Sequence, residues 1–399
     1  MVVVGAGHHQ VPLIEHVQGR GFAVIAVDVD PRAPGLSLAE IGLTHDAHDA
    51  EGVLAEVTAL GVTIVGVVTK AARGSIVTAA RLARALNVPG LDPETAALSI
   101  DRPRMRRLLE ERGLGAIPYR IVGDQQSAVA ACDELGFPVC VKPQDRSGAV
   151  GITVARDRAG AAAAYTIAKD AGIAAGVVVE RFVDGPELGV CLLVNAGNLT
   201  PVAIVDRFQR DDLPALSDRW TLPSRLPSHV QDAAVDLARN VVMAIGIDLG
   251  PVNVEMRLDA ASETLHVLEV EASTQSRIAE VLVPTALDLD LVGLAADCFL
   301  PSDGRGAPRA AQRTKLGYSG CGFVYAEPGR VSNITGIEEA RAIPHVLRVD
   351  CLLSEPREIT ARDMSSVVAD IYAQASDPDD MDRALAEAKL VVEAVQSHG

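Results

Sequence analysis

Three groups of residues have types and spacings that could do chemistry. Lys142 ends the apolar run FPVCVKP at 137–143, and the loop 145–151 with Ser147, Gly148 and Gly151 follows at once. A lone ammonium on an apolar strand is costly unless something anionic meets it. A glycine loop can turn its amide N–H groups toward phosphate oxygens. The chain has only five lysines, so one in this setting stands out. Together these features predict phosphate grasping, with Lys142 as point charge and the loop as lid. The plainer alternative is a lysine snorkelling from a turn into water.

The second group is ERFVDGPE, from Glu180 to Glu187, directly after the strand-like VVV. Chain leaving a strand can meet the edge of a purine through its backbone, here around Glu180 and Val183. A carboxylate a few residues on, Glu187, could then accept ribose hydroxyls. As a lone feature, Glu187 also reads as a solvated turn acid. The third group is Glu255 in VNVEMR with Glu269 and Glu271 in LHVLEVEAS. Residues two apart on a strand share a face, so Glu269 and Glu271 project together and an adjacent strand could bring Glu255 to them. Three carboxylates on one apolar sheet repel unless a cation neutralises them. An all-oxygen set suits Mg2+, or alternatively Mn2+, completed by nucleotide phosphates.

These groups need a frame, and 399 residues are enough for two or three domains. Up to about residue 98, strand-like runs (2–4, 22–30, 64–69) alternate with helical stretches, the βαβ rhythm of a parallel sheet. Gly5-Ala-Gly7 after the first strand, with Asp28 and Asp30 ending the second, leaves a dinucleotide-binding dehydrogenase open, although the motif is GxGxxQ. A basic helix is expected over 99–113 and another over 127–136. The middle then reads strand, glycine loop, strand, helix, strand. The polar stretch 206–227, with the only Trp (Trp220), reads either as a long loop lining an acceptor site or as ordinary surface. Residues 306–313 (GAPRAAQR) read as a linker, and a terminal helix is expected over 381–396. The expected domains are therefore 1–98, 99–305 with a lid at 115–190, and 306–399.

Bulk properties narrow the partners. A net charge of −17 argues against nucleic acid. No apolar run reaches the ~18 residues of a membrane helix, and the N-terminus lacks the pattern of a secretory signal. Six cysteines without a CxxC pair favour neither a disulfide frame nor a zinc site, which fits a cytoplasmic setting.

In order and spacing, these pieces resemble the ATP-grasp superfamily, over nearly the whole chain. GAGHHQVPLIE and VDVDPRAPG look like its Rossmann-like N-terminal domain, which does not bind NAD. SIDRPRMRRLLEERG looks like the segment that normally reads DKxxMR, and FPVCVKP, VVVERFVDGPE and the acid strands follow in order. Residues 316–350 look like the C-terminal domain of the amino-acid-ligase and biotin-carboxylase-like branch. The resemblance implies an α/β ATP-grasp fold and a carboxylate–amine ligase using ATP and Mg2+. Such an enzyme forms an acyl phosphate, couples it to an amine and releases ADP and phosphate, with amino acids as expected substrates and a homodimer as a frequent assembly. It assigns Arg102 and Lys142 to the phosphates with Ser147 and Gly148 of the loop, Glu180 and Val183 to adenine, Glu187 to ribose, and Glu255, Glu269 and Glu271 to metal.

The departures from the pattern matter. Arg102 replaces the first family lysine, and Arg and Lys hold phosphate differently. Glu271 stands in place of Asn in ExNPR, and the arginine of that motif is Ser273. Arg277 is the nearest downstream cation, so it is the candidate to replace the missing arginine at the acyl phosphate. The competing expectation is that Arg277 pairs with Glu280 on a helix surface. Two further readings stay open: a carboxylation that activates bicarbonate, and a nucleotide-binding protein that has lost catalysis.

Overall fold

The computed structural model describes residues 1–71, 73–146, 148–173, 176–301 and 316–396. Ser147 and the linker expected at 306–313 lie outside the described residues.

Short valine-rich runs build the N-terminal sheet: β1 (Val2–Val4), β2 (Ile25–Asp28), β3 (Ile41–Thr44) and β4 (Val67–Val68). Their order is β3-β2-β1-β4 and every pairing is parallel. Val2, Val3 and Val4 are all buried, as expected where helices cover both faces of a parallel sheet. Strand β3 was not expected; its run is four residues long, and only docking beside β2 makes it a strand.

The basic helix expected at 99–113 is two helices, Pro93–Ile100 and Arg102–Arg112. Asp101 caps the second by accepting from the Arg104 amide, and Gly113, at φ 63°, ends it. Its buried face is Arg102, Met105, Arg106 and Leu109, the i, i+3, i+4, i+7 stripe. Two of those four are arginines, so this helix delivers charge into the interior.

The segment expected to be a lid forms an antiparallel sheet of β5 (Tyr119–Val122), β6 (Val139–Pro143), β7 (Thr153–Ala155) and β8 (Val177–Arg181), ordered β5-β8-β6-β7. Helices Gln125–Leu135 and Arg158–Ala171 bury alanines against its valines.

The large antiparallel sheet has eight strands in the order β13-β12-β9-β10-β11-β14-β18-β16. They are β9 (Glu187–Asn195), β10 (Asn198–Gln209), β11 (Ser217–Leu222), β12 (Gly250–Asp259), β13 (Thr264–Glu271), β14 (Tyr318–Tyr325), β16 (Val346–Cys351) and β18 (Val367–Ala375). A small sheet joins β15 (Gly329–Thr335), β17 (Arg357–Ile359) and β19 (Glu393–Gln396). Trp220 on β11 pairs with Cys321 on β14, so the C-terminal strands continue the central sheet.

Two local expectations fail. Residues 206–227 are only partly loop: 206–209 end β10 and 217–222 form β11, with Asp206 paired to Thr221, and 210–216 connect them. Residues 381–396 are not one helix: helix Pro378–Val391 stops, and Glu393–Gln396 pairs with β15. An open strand edge there outweighs helical propensity.

Candidate active site

A cavity of about 390 Å3 opens between lid, large sheet and N-terminal domain. The β5–β8 sheet and its loop contribute Cys140, Lys142, Gly148, Val154, Glu180 and Arg181, the connection to the large sheet contributes Phe182 and Val183, and the large sheet contributes Glu187, Arg207, Glu255, Arg257, Glu269 and Glu271. His9 and Lys70 reach it from the N-terminal domain, and Trp220, Arg277 and Met364 also line it.

Lys142 does reach the cavity, already paired. Its Nζ donates to Glu180 at 2.6 Å, and Arg106 donates to the same carboxylate at 2.7 and 3.2 Å. Glu180 is 1% exposed. Burial pushes its pKa up, but Arg106 and then Lys142 outweigh burial and hold it at about 2. The Glu180 carboxylate therefore does not face a base edge; it is the internal counter-ion that fixes Lys142. Arg106 also donates to the carbonyls of Val267 and Leu268, pinning its helix to β13.

Arg102 lines the cavity, but much of its fork is taken by backbone. It donates to the Pro143 carbonyl and, at 3.2 Å, to that of Arg146, and it lies 3.4 Å from Glu269. This arrangement braces the root of the glycine loop, a role the phosphate-fork expectation did not include. Gly148 takes φ +64° and its carbonyl accepts from the Met364 amide, so the loop rests on the C-terminal part of the chain.

Glu187 opens β9 instead of sitting in a turn, and it is buried in an ion pair with Arg257. Arg257 also donates to the Val183 carbonyl at 3.2 Å, joining the two residues expected around the nucleoside. Sequence reasoning passed over Arg257 and Arg106. Their signals were present: Arg257 shares a face of β12 with Glu255, and Arg106 lies one helical turn beyond Arg102.

Glu255 and Glu269 are direct partners across β12 and β13, and Asn253 is opposite Glu271. Burial raises the Glu255 pKa to about 7; Arg207 lowers it, and Glu269 raises it further. Burial, then Glu269, also raises that of Glu271. Gln275 donates to Glu255 at 2.7 Å and to Glu271 at 3.1 Å, and Arg207 lies 2.8 Å from Glu255. Among the described residues no group of three His, Cys, Asp or Glu side chains could hold a metal alone, so the expected glutamate triad is not a preformed cage. Glu271 is drawn to Gln275, while Glu255 and Glu269 face each other. Half-buried, mutually repelling carboxylate oxygens facing a cavity fit a hard divalent ion that takes its remaining ligands from phosphates.

Arg277 does not pair with Glu280. That glutamate is held by Lys70 and, at 3.7 Å, His9. Arg277 donates through Nε to Asp370 at 2.6 Å and lies over the Phe323 ring at 5.1 Å. Burial opposes its charge, but Asp370 outweighs burial and raises the pKa. Phe323 packs edge-on against Trp220, over which Arg207 lies at 4.5 Å. In a chain with 3% aromatics, this alternation of rings and guanidinium groups gives the cavity a distinct wall. The dehydrogenase reading fails locally: Asp28 accepts from the Ala6 amide at 2.7 Å and from the Asp30 amide, so it is committed to closing the turn.

The ATP-grasp domain family matches residues 135–284, and the family "L-amino acid ligase C-terminal domain 2" matches 322–395. An uncharacterized protein, y4rH, of Sinorhizobium fredii is 27% identical over 76% of this chain and 63% of its own length. A formate-dependent phosphoribosylglycinamide formyltransferase of Solidesulfovibrio magneticus is 32% identical over 46% and 47%. A D-alanine–D-alanine ligase of Desulforudis audaxviator is 28% identical over 58% and 72%. The chain thus spans about half to two thirds of the first two relatives' lengths. Among solved structures, an L-amino acid ligase from Bacillus licheniformis superposes with a TM-score of 0.83 at 21% identity, over 100% of this chain and 98% of its own. N5-carboxyaminoimidazole ribonucleotide synthetase from Thermotoga maritima reaches 0.74 at 18%, over 99% of both.

Proposed function

We propose that this chain, which has an ATP-grasp fold with an ATP-grasp domain and an L-amino acid ligase C-terminal domain 2, is an ADP-forming carboxylate–amine ligase acting on amino acids. The observation that carries this reading is one cavity in which the paired Lys142 and the facing Glu255 and Glu269 share a wall system with Arg277 and Trp220. In this reading the phosphate end and the acyl end lie in one continuous cavity.

In this reading ATP lies between lid and sheet, with Lys142 at its phosphates, residues 180–183 along adenine and Glu187 near ribose. Glu255 and Glu269 would hold Mg2+, or Mn2+, with Glu271 as an outer carboxylate; the ion supplies charge neutralisation at the phosphates when bound. A substrate carboxylate oxygen attacks the γ-phosphorus in line, and ADP leaves with the bridging oxygen. The amine then attacks the acyl carbon, the bond to the phosphate oxygen breaks, and phosphate departs with that electron pair while the proton the amine loses passes to phosphate or water. Arg277, fixed by Asp370, orients the acyl end. The lid, steadied where Gly148 meets Met364, keeps water from the acyl phosphate. Catalysis is positioning and electrostatics, and no protein nucleophile is required.

A homodimer in the cytoplasm completes the proposal; it fits six free cysteines, five of them at least partly buried. No helix among the described residues is long and apolar enough to cross a membrane. The test is a screen of amino acids, singly and in pairs, for ADP release with Mg2+ and ATP. ADP with a new amide supports the proposal. AMP and pyrophosphate reject it, and ATP turnover that requires bicarbonate instead of an amine selects carboxylation.

A further inference from the structure

Loops beyond the carboxyl ends of parallel strands form the binding edge of an α/β sheet. Here the loops after β1 and β4 bring His9 and Lys70 to the cavity. The charge of Lys70 is spent as a clamp, on Glu280 and on the His9 carbonyl at 2.9 Å. Arg73, three residues on, is held differently. Its Nη2 lies 3.9 Å from the Glu269 carboxylate, and its Nε is buried without a hydrogen-bond partner among the described residues. Arg102 approaches the same Glu269 oxygen. Arg73 stands behind Glu269, which lines the cavity while Arg73 itself does not, so guanidinium groups from two separate parts of the chain converge on one wall carboxylate.

The backbone at Arg73 reinforces this. It takes φ 60° and ψ −122° at the start of the helix Gly74–Leu86, a positive-φ backbone for which glycine is the ordinary choice. Gly74 is next in sequence, yet the strained position is filled by arginine. Strain of this kind persists where surrounding structure imposes it, and it clusters at working sites. The Arg73 carbonyl accepts from the Ile76 amide, and the Lys70 clamp holds the same loop.

The wall also lacks a cation at a telling place: Ser273, where the resembling motif has arginine, lines the cavity beside Glu271. We propose that Arg73 supplies this charge at the phosphoryl end, so that the N-terminal domain contributes a catalytic residue. The inference rests on the ligase reading. A carboxylate oxygen forms its bond to the γ-phosphorus while the bond from phosphorus to the ADP oxygen breaks with its electron pair. Arg73 meets the equatorial oxygens and transfers no proton. Arg277 keeps the acyl end.

The experiment compares Arg73→Met, Arg73→Lys and Arg73→Gly in the full chain. Steady-state ADP release is read beside calorimetric affinities for Mg-ATP and Mg-ADP, which need no turnover. Absence of ADP release by the unaltered protein with every amino acid would defeat the ligase reading by itself, whatever the nucleotide affinities of the variants. For Arg73, we expect Met to lower kcat by about 100-fold or more. It should weaken Mg-ATP by about 10-fold with Mg-ADP unchanged. Lys should retain part of both. Gly relieves the positive-φ backbone, so it should melt at or above the unaltered protein while sharing the Met losses; it serves alone if Met does not fold. Unchanged kcat and ATP-over-ADP preference would overturn the proposal. So would an equal loss of ADP affinity and melting temperature in Met and Gly, the signature of a purely structural residue.

Discussion

Glu255 on β12 and Glu269 on β13 face each other as direct cross-strand partners, next to a register shift between Glu255 and Met256. Like charges directly opposite on a sheet are destabilising, and burial raises the Glu255 pKa to about 7. A cation between them removes both costs. Glu255→Gln and Glu269→Gln should each raise the Mg2+ needed for half-maximal activity by about 10-fold or more. Metal titrations indistinguishable from the unaltered protein would leave these acids without that role.

Lys142 and Arg106 share Glu180 but should fail differently. Lys142→Met leaves Glu180 paired with Arg106, so its main effect should be weaker ATP binding, read by calorimetry. Arg106→Met strips two hydrogen bonds from a fully buried carboxylate and should lower stability by roughly 3–5 kcal/mol. Urea unfolding without ligand distinguishes them; equal losses of stability would contradict the division of labour.

Arg277 and Asp370 form a pair whose structural and chemical parts can be separated. Arg277→Met should reduce kcat by about 100-fold with ATP affinity retained, and should also destabilise, because Asp370 stays buried without its cation. Adding Asp370→Asn should recover much of the stability and none of the turnover. Near-normal kcat in either protein would remove Arg277 from the mechanism.

His16 gives the N-terminal domain a pH-dependent fastening. Its Nε2 lies 3.0 Å from Asp297 and its Nδ1 3.6 Å from Asp290. The carboxylate of Asp290, and with it that of Asp297, raises the His16 pKa against the opposing effect of burial. The folded state thus binds this proton more tightly than the unfolded chain does. The contribution is full below about pH 6.5, the unfolded value, and is lost as pH rises through the raised folded value. The stability difference between unaltered protein and His16→Gln should shrink over that rise, followed by urea unfolding. A difference that stays constant through it would show that the pair is not charged.

Much of the site was legible because it depends on local rules. Alternation along a strand puts Glu269 and Glu271 on one face, and a lysine ending an apolar strand before glycines announces an anion. The errors were also local in origin. Residues 206–227 looked like loop because polar side chains facing a cavity resemble polar side chains facing water. The end of the chain looked helical because its pairing edge, β15, lies about sixty residues earlier.

By itself, then, the sequence determined which segments would be strands bearing acids, where the lid lysine stood, and that the expected arginine was absent at Ser273. Only the tertiary structure decided who neutralises whom. Arg106 reaches Glu180 across 74 residues and Arg277 reaches Asp370 across 93, while Arg73 arrives at Glu269 from the N-terminal part of the chain. Spacing rules act over a few residues, whereas a buried charge is satisfied by whatever the packing of distant elements places within about 4 Å of it.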